Sequence, residues 1–230
     1  MAMSQNKKML ANKTIEVVHG SGQPTHAIIW LHGLGASSDD FPPVVPHLGL
    51  NSSPAIRFIF PQAPDRPITI NNGFVIPGWY DIKGMALSDK EDLVGMTESQ
   101  DTVLQLIAEQ QAQGIPSEHI IIAGFSQGGA VAYYTGLRTQ KKLAGIMALS
   151  TYMPFVDAAK AEQSSINLGV EILSMHGVND PVVPISLGLE SVHAAKKLGY
   201  HVAWNTYDME HSVIPEQLVD IGEWINRVFS

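Results

Sequence analysis

Cysteine is absent from the 230-residue chain. That single absence removes disulfides, thiolate metal sites, redox pairs and a cysteine nucleophile. Positive charge is scarce, with 14 Lys and Arg against 22 Asp and Glu, a formal net charge of -8. The densest basic runs, Lys7-Lys8, Lys141-Lys142 and Lys196-Lys197, are only pairs. With no cluster to neutralise phosphates, a nucleic-acid partner is excluded. No apolar run approaches the ~18 residues that mark a membrane-spanning helix, so no transmembrane segment is expected. Only Met9-Leu10-Ala11 follows Lys7-Lys8, so the start lacks a signal-peptide core and the expected location is cytoplasmic. Neither G-x-G-x-x-G nor G-x-x-x-x-G-K-[ST] occurs, and the nine histidines form no H-E-x-x-H. No cofactor and no metal are therefore expected.

What is present is an ordinary globular composition, 45% hydrophobic and 16% charged, enough to build a core. Short β-rich runs alternate with helical patterns. The predicted strands are 14–18, 26–31, 56–60, 119–123, 143–149, 170–175 and 202–207. Runs such as Ala27-Ile28-Ile29-Trp30-Leu31 and Ile120-Ile121-Ile122-Ala123 are apolar almost throughout, as strands of a parallel sheet covered on both faces are. The predicted helices are 97–113, 129–138, 185–198 and 215–229. The first opens with Thr97 and Gln100 at capping-box spacing, and Gly114 and Pro116 lie beyond its end. This alternation predicts one α/β domain over residues 14–230, behind an N-terminal extension over 1–13 in which Met1-Ala2 reads as a start-site or cloning remnant. Residues 61–96, rich in Pro, Gly, Asn and Asp but also carrying Phe74, Val75, Ile76, Trp79 and Tyr80, read as an ordered excursion over the sheet edge.

The sharpest motif is Gly124-Phe125-Ser126-Gln127-Gly128, between a predicted strand and a predicted helix. In a nucleophile elbow the serine sits on a strained strand-to-helix turn whose crowded backbone demands small residues two before and two after it. A lone G-x-S-x-G is common by chance, so the context carries the assignment. Serine needs a base, and the base needs an orienting carboxylate, in the chain order Ser, Asp or Glu, His. Downstream, strand 170–175 runs into His176-Gly177-Val178-Asn179-Asp180-Pro181, and strand 202–207 into Asp208-Met209-Glu210-His211-Ser212. Asp180 and His211 thus fall on loops past strand C-termini, where α/β sheets place functional groups. Competing residues exist. His176 precedes Asp180 and suits a structural role; Asp208 and Glu210 crowd His211 on its own loop; Asp157, His193 and His201 fit surface or capping roles. For the oxyanion, the backbone N–H of Gln127 is one donor, and Leu34, in the turn His32-Gly33-Leu34-Gly35, is the expected second.

Taken in order, His32-Gly33-Leu34-Gly35, Trp79-Tyr80-Asp81, Gly124 to Gly129, Leu149-Ser150-Thr151-Tyr152-Met153-Pro154, His176-Gly177 with Asp180-Pro181, and His211-Ser212 closely resemble the acyl-protein thioesterase and carboxylesterase family of α/β hydrolases. The small bacterial carboxylesterases are the nearest type. The resemblance runs from about Thr14 to Phe229. It implies a mostly parallel twisted sheet with helices on both faces, a nucleophile at Ser126, an acid at Asp180, a base at His211, and oxyanion amides at Leu34 and Gln127. It puts Trp79-Tyr80-Asp81 in the loop region that shapes the acyl pocket, so Trp79, Phe74 and Ile76 are expected to wall the substrate. Plain core packing competes for Trp79, and a homodimer contact or a membrane-touching rim competes for all three. Glu210 stands where a small residue often precedes the histidine, and Ala36-Ser37-Ser38-Asp39-Asp40 lacks the acidic or amide residue often seen directly after the turn.

The expected activity is hydrolysis of short-to-medium-chain carboxylic esters through an acyl-enzyme, with a small-molecule ester or acylated substrate as the only partner required. The short chain preference rests on the length of the protein alone. The alternatives are an acyl-protein thioesterase or lysophospholipase and, from another class, a ligand-binding protein on a hydrolase scaffold.

Overall fold

The computed structural model describes residues 6–9, 13–84 and 91–230. Residues 1–5 and 10–12, within the N-terminal extension, and 85–90, within the 61–96 excursion, lie outside the described residues. Ten strands are present among the described residues: β1 Asn6–Met9, β2 Ile15–His19, β3 His26–Leu31, β4 Ile56–Phe60, β5 Asp65–Ile68, β6 Phe74–Pro77, β7 Ile120–Phe125, β8 Gly145–Leu149, β9 Glu171–Gly177 and β10 His201–Tyr207. The helices are α1 Leu93–Ala112, α2 Gln127–Arg138, α3 Val156–Glu162, α4 Ile185–Lys197 and α5 Pro215–Val228.

Eight of these strands form one sheet in the order β1-β2-β4-β3-β7-β8-β9-β10. From β4 to β10 every neighbouring pair is parallel; β2 runs antiparallel to both β1 and β4. The reason for the apolar runs is visible in the alternation of side chains. Ala27, Ile29 and Leu31 of β3, with Ile120 and Ile122 of β7, pack beneath Val103 and Ile107 of α1 and Ala130 to Tyr134 of α2. Ile28, Trp30, Ile121 and Ala123 face the other way, onto Leu218, Ile221, Trp224 and Ile225 of α5. Each strand is buried on both faces, and the pattern is continuous rather than alternating for that reason. The sheet thus carries helices on both faces, as the sequence implies.

Two departures concern α1 and the excursion. The helix starts at Leu93, four residues before the Thr97 capping box; the Thr97 hydroxyl instead donates to the Leu93 carbonyl, 2.8 Å, inside the helix. Gly95, inside the first turn, is needed there, because a Cβ would lie 2.6 Å from an Arg66 guanidinium nitrogen and 3.0 Å from the Tyr80 backbone. The excursion holds a small antiparallel hairpin, β5 against β6, separate from the main sheet.

Candidate active site

Ser126 lies between β7 and α2 with φ 53° and ψ -120°. This region of the map is strained for a residue with a Cβ, at a cost of about 1–3 kcal/mol, and persists only where neighbours over-determine it. Here they do. The Ser126 amide donates to the Leu149 carbonyl, 2.8 Å, while its own carbonyl accepts from Thr151 Oγ1, 2.6 Å, and from the Gly129 amide, 3.0 Å. The two glycines around it are required by close approach. A Cβ on Gly124 would run into the Gly128 backbone, and one on Gly128 would lie 2.5 Å from the Leu31 carbonyl oxygen and 2.6 Å from that of His32.

Asp180 and His211 stand on the loops after β9 and β10, paired in register from His201 with Glu171 to Tyr207 with Gly177. Gly177 lets those loops cross, since a Cβ there would lie 2.5 Å from the Glu210 carbonyl oxygen. His211 Nδ1–H donates to Asp180 Oδ2, 2.7 Å. Asp180 Oδ1 accepts the backbone amides of Val182, 2.9 Å, and Val183, 2.8 Å. Three N–H donors thus converge on the buried carboxylate, two on Oδ1 and one on Oδ2, and fix its orientation toward His211. Nδ1 is thereby occupied, and the ring, which lines the cavity described below, is flanked by Phe125 at 4.7 Å between centroids.

The competing residues are occupied elsewhere. His176 is buried and donates from Nε2 to the Val183 carbonyl, 2.8 Å, with the same nitrogen 3.5 Å from Asp180 Oδ2. Burial lowers its pKa, keeping the ring neutral. It braces the Asp180 loop instead of facing substrate. Asp208 Oδ1 accepts from the Asn179 side-chain Nδ2, 2.7 Å, and Glu210 is exposed.

Ser126, His211, Gly33, Leu34 and Gln127 line one cavity of about 630 Å³. Its remaining wall is mostly apolar and includes Ile70, Ile82, Met96, Phe155, Val183 and Leu187. The backbone N–H groups of Leu34 and Gln127 have no acceptor among the described residues. Gln127 opens α2, where the first amides have no helical partner and the helix dipole adds positive potential.

The residues expected to wall the substrate stand elsewhere. Trp79 is fully buried in the core behind the cavity, with Nε1–H donating to the His32 carbonyl, 2.8 Å. Phe74, 72% exposed, and the half-buried Ile76 belong to β6, outside the cavity lining. The neighbour of Trp79, Tyr80, takes the position in the wall. Its hydroxyl meets that of Tyr152 at 2.8 Å, and burial pushes both phenols above their usual pKa. Burial also raises the carboxyls of Asp40 and Glu91, which line the same space.

The Gln127 side chain is the contribution that sequence reading missed. Its Oε1 accepts the Trp79 amide, 2.8 Å, and its Nε2 donates to the Tyr80 carbonyl, 2.7 Å. One buried amide side chain therefore ties the excursion to the serine elbow. The signal for it was only a polar residue inside an apolar strand-turn-helix.

Residues 12–229 match the profile described as phospholipase/carboxylesterase. The chain belongs to the phospholipase/carboxylesterase family. It is a hydrolase of the acyl-protein thioesterase and carboxylesterase type. Acyl-protein thioesterase 1 of Gibberella zeae is 35% identical over 222 residues, covering 92% of this chain and 94% of that protein. Acyl-protein thioesterase 1 of Cryptococcus neoformans is 34% identical over 218 residues, covering 87% and 91%. Among solved structures, Arabidopsis thaliana SOBER1 superposes with a TM-score of 0.84 at 29% identity, covering 89% of this chain and 99% of that one. Zea mays acyl-protein thioesterase 2 gives 0.83 at 26%, covering 94% and 99%. The family's α/β-hydrolase architecture is the one described above.

Proposed function

We propose that this family member is a serine hydrolase with Ser126 as nucleophile, His211 as base and Asp180 as the acid that orients it, acting on acyl thioesters of acylated proteins and on related carboxylic esters. The observation that carries it is the 2.7 Å Asp180–His211 pair brought to the cavity that Ser126 enters from a positive-φ elbow.

Ser126 Oγ attacks the acyl carbonyl carbon and passes its proton to His211 Nε2, while Asp180 stabilises the imidazolium through Nδ1–H. The carbonyl oxygen becomes an oxyanion held by the Leu34 and Gln127 amides. Collapse breaks the bond to sulfur or oxygen, and the leaving group departs with the proton from His211. Water then repeats the sequence on the acyl-enzyme, giving up a proton to His211 and releasing the carboxylic acid and Ser126.

The relatives named acyl-protein thioesterase, at 34–35% identity over most of the chain, favour an acylated protein over the small esters expected from chain length. A mostly apolar cavity of about 630 Å³ is consistent with more than a short acyl group, since pockets of ~300–1,000 Å³ enclose drug-sized ligands. The test is a matched series of oxygen and sulfur esters from butyryl to palmitoyl, including an S-acylated peptide. Higher kcat/KM on the thioester at equal acyl length supports the reading. Turnover confined to short oxygen esters would return the protein to the carboxylesterase reading, and ligand protection without any turnover would mark a binding protein.

A further inference from the structure

We infer that His32 is a positioning residue for the oxyanion hole: its Nδ1–H holds the Gly33 carbonyl so that the amide on the other side of that peptide, Leu34 N–H, faces Ser126. This rests on the serine-hydrolase reading above.

His32 is buried at the end of β3, 2% exposed. The Ala63 amide donates to its Nε2, 3.1 Å. A backbone N–H can only donate, so Nε2 keeps its lone pair and the ring proton resides on Nδ1. That nitrogen lies 2.7 Å from the Gly33 carbonyl oxygen, which therefore accepts. In a trans peptide the C=O and the following N–H point in opposite directions. Drawing the Gly33 oxygen toward the imidazole turns Leu34 N–H away from it.

Gly33 itself lies against the elbow. A Cβ on Gly33 would be 3.5 Å from Ser126 Cβ and 3.4 Å from the Phe125 ring. Leu34 N–H has no acceptor among the described residues, while the next two amides are committed, Gly35 to the Pro77 carbonyl at 2.8 Å and Ala36 to that of Gly33 at 3.3 Å. The preceding peptide is fixed as well, because the His32 carbonyl accepts the Trp79 indole N–H at 2.8 Å. Burial lowers the His32 pKa, which keeps the ring in the neutral form that this arrangement requires. A proton on Nε2 would confront the Ala63 N–H.

Two variants separate this role from general packing. His32→Asn keeps an N–H donor near the Nδ1 position, whereas His32→Gln keeps only a group near Nε2. The kcat of His32→Gln should fall by about 10²–10³, the usual cost of one oxyanion donor, with KM within a few-fold. His32→Asn should retain most of kcat. A folded His32→Gln variant with wild-type kcat would overturn it, as would equal losses in the two variants. In case neither folds, the wild-type protein gives an independent reading: ¹⁵N NMR of the His32 ring at neutral pH should show Nδ1 protonated and Nε2 bare. The opposite tautomer, or a doubly protonated ring, would overturn it. Fluorophosphonate labelling of the wild type, run alongside, distinguishes the two levels of failure. A label on Ser126 with a fully active His32→Gln sinks only the role of His32; no label on Ser126 sinks the serine-hydrolase reading beneath it.

Discussion

At the N-terminal ends of the adjacent strands β3 and β7, His26 and His119 stack with ring centroids 4.4 Å apart and 4° between their planes, against Phe229 at 4.5 Å from His26. At the C-terminal ends of the same two strands stand His32 and Ser126. The strands run in register from Ala27 with Ile120 to Leu31 with Gly124, so the two ends differ in what they hold and not in how the sheet is built. At the base, the imidazoles make ordinary contacts, His26 Nδ1 with Thr25 Oγ1 at 2.9 Å and His119 Nδ1 with the Thr25 carbonyl at 3.1 Å. At the top, a serine is held at positive φ between glycines that admit no Cβ, and the Leu34 and Gln127 amides have no acceptor among the described residues. One end is satisfied and gives stability; the other keeps strain and unsatisfied donors, which is what a transition-state site requires.

Substitutions at the two ends should therefore separate turnover from stability. The largest effect is expected for Ser126→Ala, with kcat falling by about 10⁴-fold or more and little change in the thermal midpoint; a variant with substantial residual turnover would break the contrast. Asp180→Asn should cost about 10⁴ in kcat, because it spoils the tautomer that leaves His211 Nε2 free to accept a proton. Steady-state kinetics on one ester and one thioester would check both.

Gly128→Ala ranks next, because it damages the top of the sheet through packing. Its Cβ would meet two carbonyl oxygens of the β3 end, and the forced shift should destabilise by about 1–3 kcal/mol while displacing Ser126. Urea unfolding and kcat measured together would test this, and an unchanged pair of values would show that the crowding is not what fixes the elbow.

The smallest effect on turnover belongs to His26→Phe, which should leave kcat unchanged while altering the pH dependence of stability. Burial, then the charge of His119, lowers the folded His26 pKa to about 4, below ~6.5 for an unfolded histidine. Between those values the unfolded chain binds more protons, so stability is complete above about pH 6.5 and is lost as the pH falls toward 4. His32 and His176, lowered by burial in the same direction, contribute with the same sign. Unfolding midpoints from pH 7 to 4.5 should fall less steeply in His26→Phe than in the wild type, and parallel curves would remove His26 from the explanation.

The base and the middle of the sheet were legible because burial on both faces writes itself as unbroken apolar runs, such as 27–31 and 120–123. The motif residues were legible for a related reason. Ser126, Asp180 and His211 each follow a strand, and a strand end is visible in sequence even when the contact between loops is not. The structure then brings His211 to Asp180 and to the cavity of Ser126. Less was legible where long-range contacts override local signals. Residues 93–96 read as part of the excursion but open α1, where Gly95 lets the helix approach Arg66 and Tyr80. Trp79 is aromatic and sits in the excursion, yet its N–H groups are spent on His32 and Gln127, which draws it into the core. The cavity wall at Tyr80, Tyr152, Phe155 and Leu187 is assembled from three separate segments, and no periodicity links them. The strand Asn6–Met9 carries too short a pattern to be read before β2 is seen beside it.

The claim that Ser126 forms the acyl-enzyme is tested most directly by quenching a turnover reaction in acid and mapping the modified peptide by mass spectrometry. One acyl group is expected on Ser126 in the wild type and none in Ser126→Ala. An acyl group on another residue, or turnover that persists in Ser126→Ala, would contradict it.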